Sequence, residues 1–257
     1  MPMKSKIFFW LLILLTSLLE AQTSPWEKLH FLTEEFPPYN YLEKGQLTGS
    51  SPEILSALLT QLKVPQSLQD VKVLPWARAY SEVQSDPWAC LFSTTKTKER
   101  EPLFQWVGPI SPARNVVVTL ASRHLILPKG ESLAQTQWTF GAVRDDAGEQ
   151  LLVDHNVPTS QISLTTNAIQ ALEMLNSGRI DAFAYDESVI DWLARSQGWD
   201  PSQYVTSTVL ATGYHYFAFN LKVPPEMIQE FQKALDQLKA KGQYHKILDK
   251  FGVVSSR

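Results

Sequence analysis

The chain has 257 residues, 44% of them hydrophobic and 19% charged, with a formal net charge of −3. That is enough apolar material for one large domain or two modest ones. A near-neutral balance, with no Lys or Arg cluster interleaved with aromatics, argues against a nucleic-acid-binding surface. The single cysteine, Cys90, lies in an apolar run, so no intrachain disulfide can form and a buried structural thiol is expected.

At the N-terminus, Lys4 and Lys6 precede an almost wholly apolar run over 7–19, followed by Glu20, Ala21 and the polar residues 22–25. This is the layout of a secretory signal peptide over 1–21, cut after Ala21, with an apolar run short for a bilayer span. The expected address is a bacterial periplasm or a similar exported space. No cysteine stands at the cut to carry a lipid, so a soluble mature protein is expected.

From residue 25 onward, short apolar runs alternate with amphipathic stretches, the pattern of an α/β protein. A first strand is expected over 29–32, followed by the turn-rich Glu34-Glu35-Phe36-Pro37-Pro38-Tyr39. Gly49-Ser50-Ser51-Pro52-Glu53 announces a helix, with a serine cap, proline at the first helical position and an acid in the first turn. Ile54, Leu55, Leu58, Leu59 and Leu62 mark its buried face. A strand at 71–74 and a helix opening at 75–80 lead to the apolar run Trp88, Ala89, Cys90, Leu91, Phe92. It breaks into Ser93-Thr94-Thr95-Lys96-Thr97-Lys98-Glu99-Arg100, with Arg100 reading as part of the first turn of a helix.

After Pro109 and Pro112, a β-branched run over 115–120 starts a second series. It comprises a strand at 138–143, a helix begun near Asp145 or Asp146, a helix face of Ala168, Ile169, Leu172 and Leu175, and a strand at 182–185. A helix begins at about Asp186-Glu187-Ser188. A strand over 214–219 follows, then a long helix marked by Met227, Phe231, Leu235 and Leu238 and broken at Gly242, with a short helix to close. Two similar-sized αβ groups result, with no internal repeat and no low-complexity linker, as expected when a chain crosses twice between lobes.

The stretch 93–100 carries the first chemical signal. Hydroxyls and backbone N–H groups at a strand end can bond one oxygen of a small anion, and a guanidinium can grip a carboxylate with two parallel bonds. A polar loop with a capped helix and a solvated arginine would have the same composition. Asp186 is equally two-sided, because an acid after a strand often caps the next helix. The histidines at 30, 124, 155, 215 and 245 show no metal-ligand spacing, and neither a Gly-x-Ser-x-Gly elbow nor a phosphate-binding glycine loop occurs. No metal or cofactor is expected.

Four stretches together resemble a known family: Phe36-Pro37-Pro38-Tyr39 with 45–49 behind it; 93–100 followed by Gly108-Pro109-Ile110; 178–187; and Phe231-Gln232-Lys233-Ala234-Leu235 through Gly242-Gln243-Tyr244. Their order resembles the type II periplasmic solute-binding proteins of the polar amino-acid group, family 3. These are the capture components of ABC importers. The resemblance covers essentially the whole mature chain and implies a periplasmic binding protein-like II fold: two αβ lobes that close by hinge bending on a ligand cleft. It implies lobe 1 at 22–114 and 213–257, lobe 2 at 115–212, and a monomer.

Carried over by residue, the resemblance makes Arg100 the clamp for an α-carboxylate, with the Thr95 hydroxyl and the Ser93 backbone beside it. Asp186 becomes the acceptor of the α-ammonium group. A zwitterion buried in a cleft needs one cation and one anion at separate points to offset its desolvation. Phe36 matches an aromatic wall against the ligand side chain and equally suits plain core; Trp76, Trp106 and Tyr185 are further aromatic candidates, each better suited to packing. Arg144 departs from the family pattern: it would favour an acidic ligand, or pair with Asp145 or Asp146 and cancel.

The implied function is capture of an amino acid and delivery to a membrane permease. The same fold resembles that of cyclohexadienyl dehydratases, in which a cleft carboxylate acts as general acid; Glu34, Glu35 or Glu187 would be the candidates here. A capture module for a separate membrane sensor is the third alternative.

Overall fold

The computed structural model describes residues 25–128 and 130–253. The expected signal peptide over 1–21 lies outside the described residues. In chain order the elements are β1 (His30–Thr33), a hairpin of β2 (Tyr41–Glu43) and β3 (Gln46–Thr48), α1 (Ser50–Leu62), β4 (Lys72–Val73), α2 (Trp76–Ser85) and β5 (Ala89–Thr95). Next come β6 (Phe104–Leu120), β7 (Phe140–Val143), α3 (Ala147–Asp154), β8 (Ile162–Thr165), α4 (Ala168–Asn176) and β9 (Ala182–Asp186). The chain ends in α5 (Glu187–Ser196), β10 (Tyr204–Asn220), α6 (Pro225–Ala240) and α7 (Gln243–Lys250).

One sheet orders its strands β4-β1-β5-β10-β6-β9-β7-β8. β4, β1 and β5 are parallel at one end, and β9, β7 and β8 are parallel at the other. The antiparallel pair β6 and β10 joins them. Each of these two strands has 17 residues, about three times the usual length of 5–6, so the pair serves both ends at once. The result is a two-lobed α/β fold in which two long strands, β6 and β10, join the ends of the sheet. β7 and β9 are buried at every position, as strands covered by helices on both faces must be. A smaller core, including Leu133, Phe140, Leu152 and Val157, belongs to the far lobe alone.

Three expectations change. The helix at 50–62 has no serine cap: Gly49 is its cap residue at a φ of 119°, and no side chain bonds its first turn. A Cβ at Gly49 would collide with the Tyr39 carbonyl, so the close passage of two backbone segments takes the place of a polar cap. Arg100 does not open an α-helix but precedes a single 3-10 turn, Glu101–Leu103, beyond which β6 begins. Finally, Pro109 and Pro112 do not interrupt the chain's extended course, because β6 runs through both. β6 pairs with β9 only over Asn115–Thr119, so at the prolines one edge is unpaired and a missing N–H is tolerated. The ladder to β10 also shifts register beside Pro109.

α3 seats against β9 at Gly148, where an added methyl would run into the Ala184 carbonyl. Gly148→Ala should therefore destabilise the protein by about 1–3 kcal/mol. Urea unfolding should show a lower midpoint at unchanged slope; an unchanged midpoint would show that this contact yields freely.

Candidate functional site

Arg100 is 0% exposed, though it belongs to a loop. Thr97 Oγ1 accepts from its backbone N–H at 3.2 Å, which turns the side chain inward. The guanidinium carbon lies 4.9 Å from the Trp76 ring centroid and 5.1 Å from that of Tyr80, both rings carried by α2, so the cation rests against π faces. Nη2 donates to the Asp145 carbonyl at 2.8 Å and Nη1 to the Thr95 carbonyl at 3.4 Å. Nε is buried without a partner.

The ion pairs formed by the described residues do not include Arg100. Burial pulls its pKa down, while Asp146, Tyr80 and Glu34 act the other way, the two acids without forming an ion pair with it. A guanidinium taken from water and left without a carboxylate is strongly disfavoured unless an anion joins it.

Among the residues that hold left-handed backbone without being glycine are Asp145, at a φ of 60°, which bonds this cation, and Ser93, at 58°, two residues before Thr95 in β5. Such conformations in non-glycine residues are uncommon and concentrate at sites held by their surroundings. The Ser93 hydroxyl donates to that of Ser51 in α1 at 2.8 Å. The turn at Asp145 aims its carbonyl across the cleft, where it accepts from both Trp76 Nε1 at 2.7 Å and Arg100. Thr95 closes β5 half-buried, beside Arg100.

Asp186 is 2% exposed and ends β9. It caps α5, accepting from the Ser188 N–H at 3.0 Å and the Val189 N–H at 3.3 Å. The Arg114 N–H of β6 donates to its other oxygen at 3.2 Å, and the Tyr39 hydroxyl donates to Oδ1 at 3.4 Å. The plain capping role is therefore real. Burial raises its pKa from the ordinary 3.8 to about 7, against the lowering effect of these N–H donors.

Phe36 is buried in an aromatic cluster, 5.2 Å from Tyr39, 5.6 Å from Tyr185 and 5.3 Å from His215. His215 bonds the Ser111 hydroxyl through Nδ1 at 2.9 Å. Its Nε2 stands 3.9 Å from Asp186, too far for a hydrogen bond. Burial pushes the imidazole down to about 3, so the two make no ion pair at neutral pH.

The Tyr185 hydroxyl feels the charges of Glu34, Asp146 and Asp186 after the dominant effect of burial, and Asp146 and Glu34 are also among the charges that act on Arg100. Arg144 is exposed and makes no ion pair with Asp145 or Asp146; its charge acts instead on Glu149. Trp106 packs on Phe104 and Tyr216. Tyr80 and His215 join the site without a signal in the sequence, since nothing in an α2 face or a strand alternation marks which rings meet a guanidinium or a carboxylate. Among the described residues no group of three His, Cys, Asp or Glu side chains is placed to hold a metal ion. No helix among them is long and apolar enough to cross a membrane.

The model of the bacterial extracellular solute-binding proteins, family 3, matches residues 30–254. The chain belongs to that family. No curated protein sequence matches it. Among solved structures, this family 3 protein is similar to a histidine kinase sensor domain with similarity to periplasmic binding proteins, at a TM-score of 0.72 and 16% identity over 89% of this chain and 97% of that one. It is similar to an ancestral arginine-binding protein bound to arginine, at 0.71 and 22% over 87% and 98%. It is also similar to an ancestral amino-acid-binding protein that is a precursor of cyclohexadienyl dehydratase, at 0.71 and 21% over 87% and 94%. These likenesses show the two-lobed periplasmic-binding-protein fold.

The raised pKa of Asp186 has a definite sign. An acid whose folded value lies above its unfolded one contributes stability in full below the unfolded value, here 3.8, and loses it as pH rises through about 7. Thermal melts should show wild type losing stability relative to Asp186→Asn between about pH 4 and about pH 8, with His215 present in both. Parallel profiles would mean that Asp186 titrates at its ordinary value.

Proposed function

We propose that this family 3 protein is exported to the periplasm, its signal peptide removed, and there captures an amino acid in the interlobe cleft for delivery to the permease of an ABC importer. One observation carries the reading: a fully buried Arg100 stacked on Trp76 and Tyr80, with an unpartnered Nε and no carboxylate paired to it. An α-carboxylate gives this fork charge-assisted bonds, with the Thr95 hydroxyl and the Ser93 backbone as further donors. Asp186, on the opposite lobe, receives the α-ammonium group, and Phe36 walls the ligand together with Tyr39. Arg144 has a place only at the cleft rim.

The lobes are proposed as 22–114 with 213–257, and 115–212. Arg114 and Thr212, at the two proposed crossings, are register partners in β6 and β10, which supports a single hinge line. A ligand that bonds Arg100 on one side and Asp186 on the other touches both lobes only when they are shut, and so shifts the population toward the closed form.

The amino-acid class is supported by the names of similar structures, one an arginine-binding protein bound to glutamine. Delivery to a membrane sensor is the second reading, favoured by the likeness to a kinase sensor domain.

Calorimetric titration of ligand-stripped protein should show amino-acid binding without turnover; conversion of prephenate or arogenate would overturn the binding-protein reading. Removing one member of a buried charge pair costs about 2–5 kcal/mol, so Arg100→Ala should weaken binding at least about tenfold with the circular dichroism spectrum intact. An unchanged affinity would remove Arg100 from the site. Binding should also weaken as pH falls below about 7, where Asp186 takes up a proton, and should release protons there.

A further inference from the structure

Among the described residues, the Asp186 carboxyl takes four donors, and only one of them is a side chain. Oδ1 accepts from the Ser188 N–H at 3.0 Å, the Val189 N–H at 3.3 Å and the Tyr39 hydroxyl at 3.4 Å. Oδ2 accepts from the Arg114 N–H at 3.2 Å, with the buried His215 ring 3.9 Å away. A carboxylate offers about four acceptor positions, two to each oxygen. Oδ1 therefore carries one donor more than it can satisfy, and the bond from Tyr39 is the longest of the set. The three N–H donors are fixed by the start of α5 and by β6. The Tyr39 hydroxyl alone can turn away.

It has a second acceptor to turn to. The Pro112 carbonyl lies 3.2 Å from the Tyr39 oxygen, closer than Asp186, and a single O–H proton serves one of these acceptors well at a time. Burial raises the phenol's pKa, so that proton stays on it at neutral pH. The ring itself is held. Tyr39 is 2% exposed, stacked on Phe36 at 5.2 Å and edge-on to His215 at 4.6 Å. Its backbone N–H donates to the Phe36 carbonyl, and its carbonyl accepts from the Ser51 N–H. Exchange between Asp186 and Pro112 is thus a rotation about the C–O bond, with no movement of the chain.

We infer that Tyr39 reverses its role when a ligand binds: in the empty protein its hydroxyl donates to Asp186, and in the complex it donates to the Pro112 carbonyl and accepts, beside Asp186, from the ligand's ammonium group. This rests on the amino-acid reading above and adds a residue to it. An ammonium group carries three N–H donors, and each needs an acceptor once the group leaves water. One rotation meets two of these needs, because it vacates a position on Oδ1 and turns a lone pair of the Tyr39 oxygen toward the cation. Tyr39 is thereby a specificity determinant. A solute without N–H donors leaves the hydroxyl on Asp186 and gains nothing from it.

The test is calorimetric titration of the ligand-stripped full chain with the common L-amino acids at about pH 8.5, where Asp186 is ionised. For the tightest binder, two relatives follow: the carboxylic acid that lacks only its α-ammonium, and the N-trimethylated form, which keeps the charge but has no N–H. Wild type should bind the trimethylated form at least about tenfold more weakly than the amino acid. Tyr39→Phe, which keeps the ring, should weaken the amino acid about tenfold and the deaminated acid less than about threefold, with its melting transition retained. Unchanged or tighter amino-acid binding by Tyr39→Phe would show that the hydroxyl only competes with the ligand. Equal weakening of the amino acid and the deaminated acid would show that it only shapes the site. Either result, or equal binding of the amino acid and its trimethylated form by wild type, overturns the inference and leaves the amino-acid reading standing. Failure of every amino acid to bind wild type overturns both.

Discussion

The site depends on a cation that the protein buries without pairing. Arg100 is anchored through Thr97, flanked by the two rings of α2, and bonded to backbone carbonyls rather than to acids. Carbonyl dipoles and π faces offset part of the desolvation of a guanidinium, but they leave its charge uncancelled. A carboxylate in ion-pair contact would cancel it and take up the fork at the same time. The placement of Asp146 and Glu34, near enough to be felt and too far to bond, leaves the cation unpaired.

The rest of the fold brings partners to this point. β6 and β10 run through both lobes and feed the site midway: Arg114 donates to Asp186, Ser111 fixes His215, and His215 packs edge-on to Phe36 and Tyr39. A single carboxyl at Asp186 therefore ties together a crossing strand, the start of α5 and the Phe36–Tyr39 turn of the other lobe. Its burial and its many donors oppose each other, and burial prevails.

Much of this was legible in the sequence, for reasons that can be named. Alternating apolar runs and helical faces set out the α/β order, and the break from Phe92 into hydroxyls marked the end of β5. The Asp186-Glu187-Ser188 run signalled the start of α5. Three things were hidden. The length of β6 was masked by Pro109 and Pro112, since a sequence does not say that a strand's edge is unpaired at those positions. The cap of α1 is hidden because Gly49 is required by the close approach of the Tyr39 backbone, a tertiary contact, and not by a polar side chain. The inward turn of Arg100 depends on Trp76 and Tyr80, which only tertiary packing brings to it.

The Asp145 carbonyl accepts two bonds from across the cleft, one from Trp76 and one from Arg100. Neither needs a ligand. In the proposed capture, contacts of this kind raise the fraction of molecules already shut before a ligand arrives, and the apparent affinity of a ligand that binds only the shut form scales with that fraction. On the proposed reading, Trp76 thus becomes a setting for affinity that acts through the empty protein, by a contact that no ligand makes.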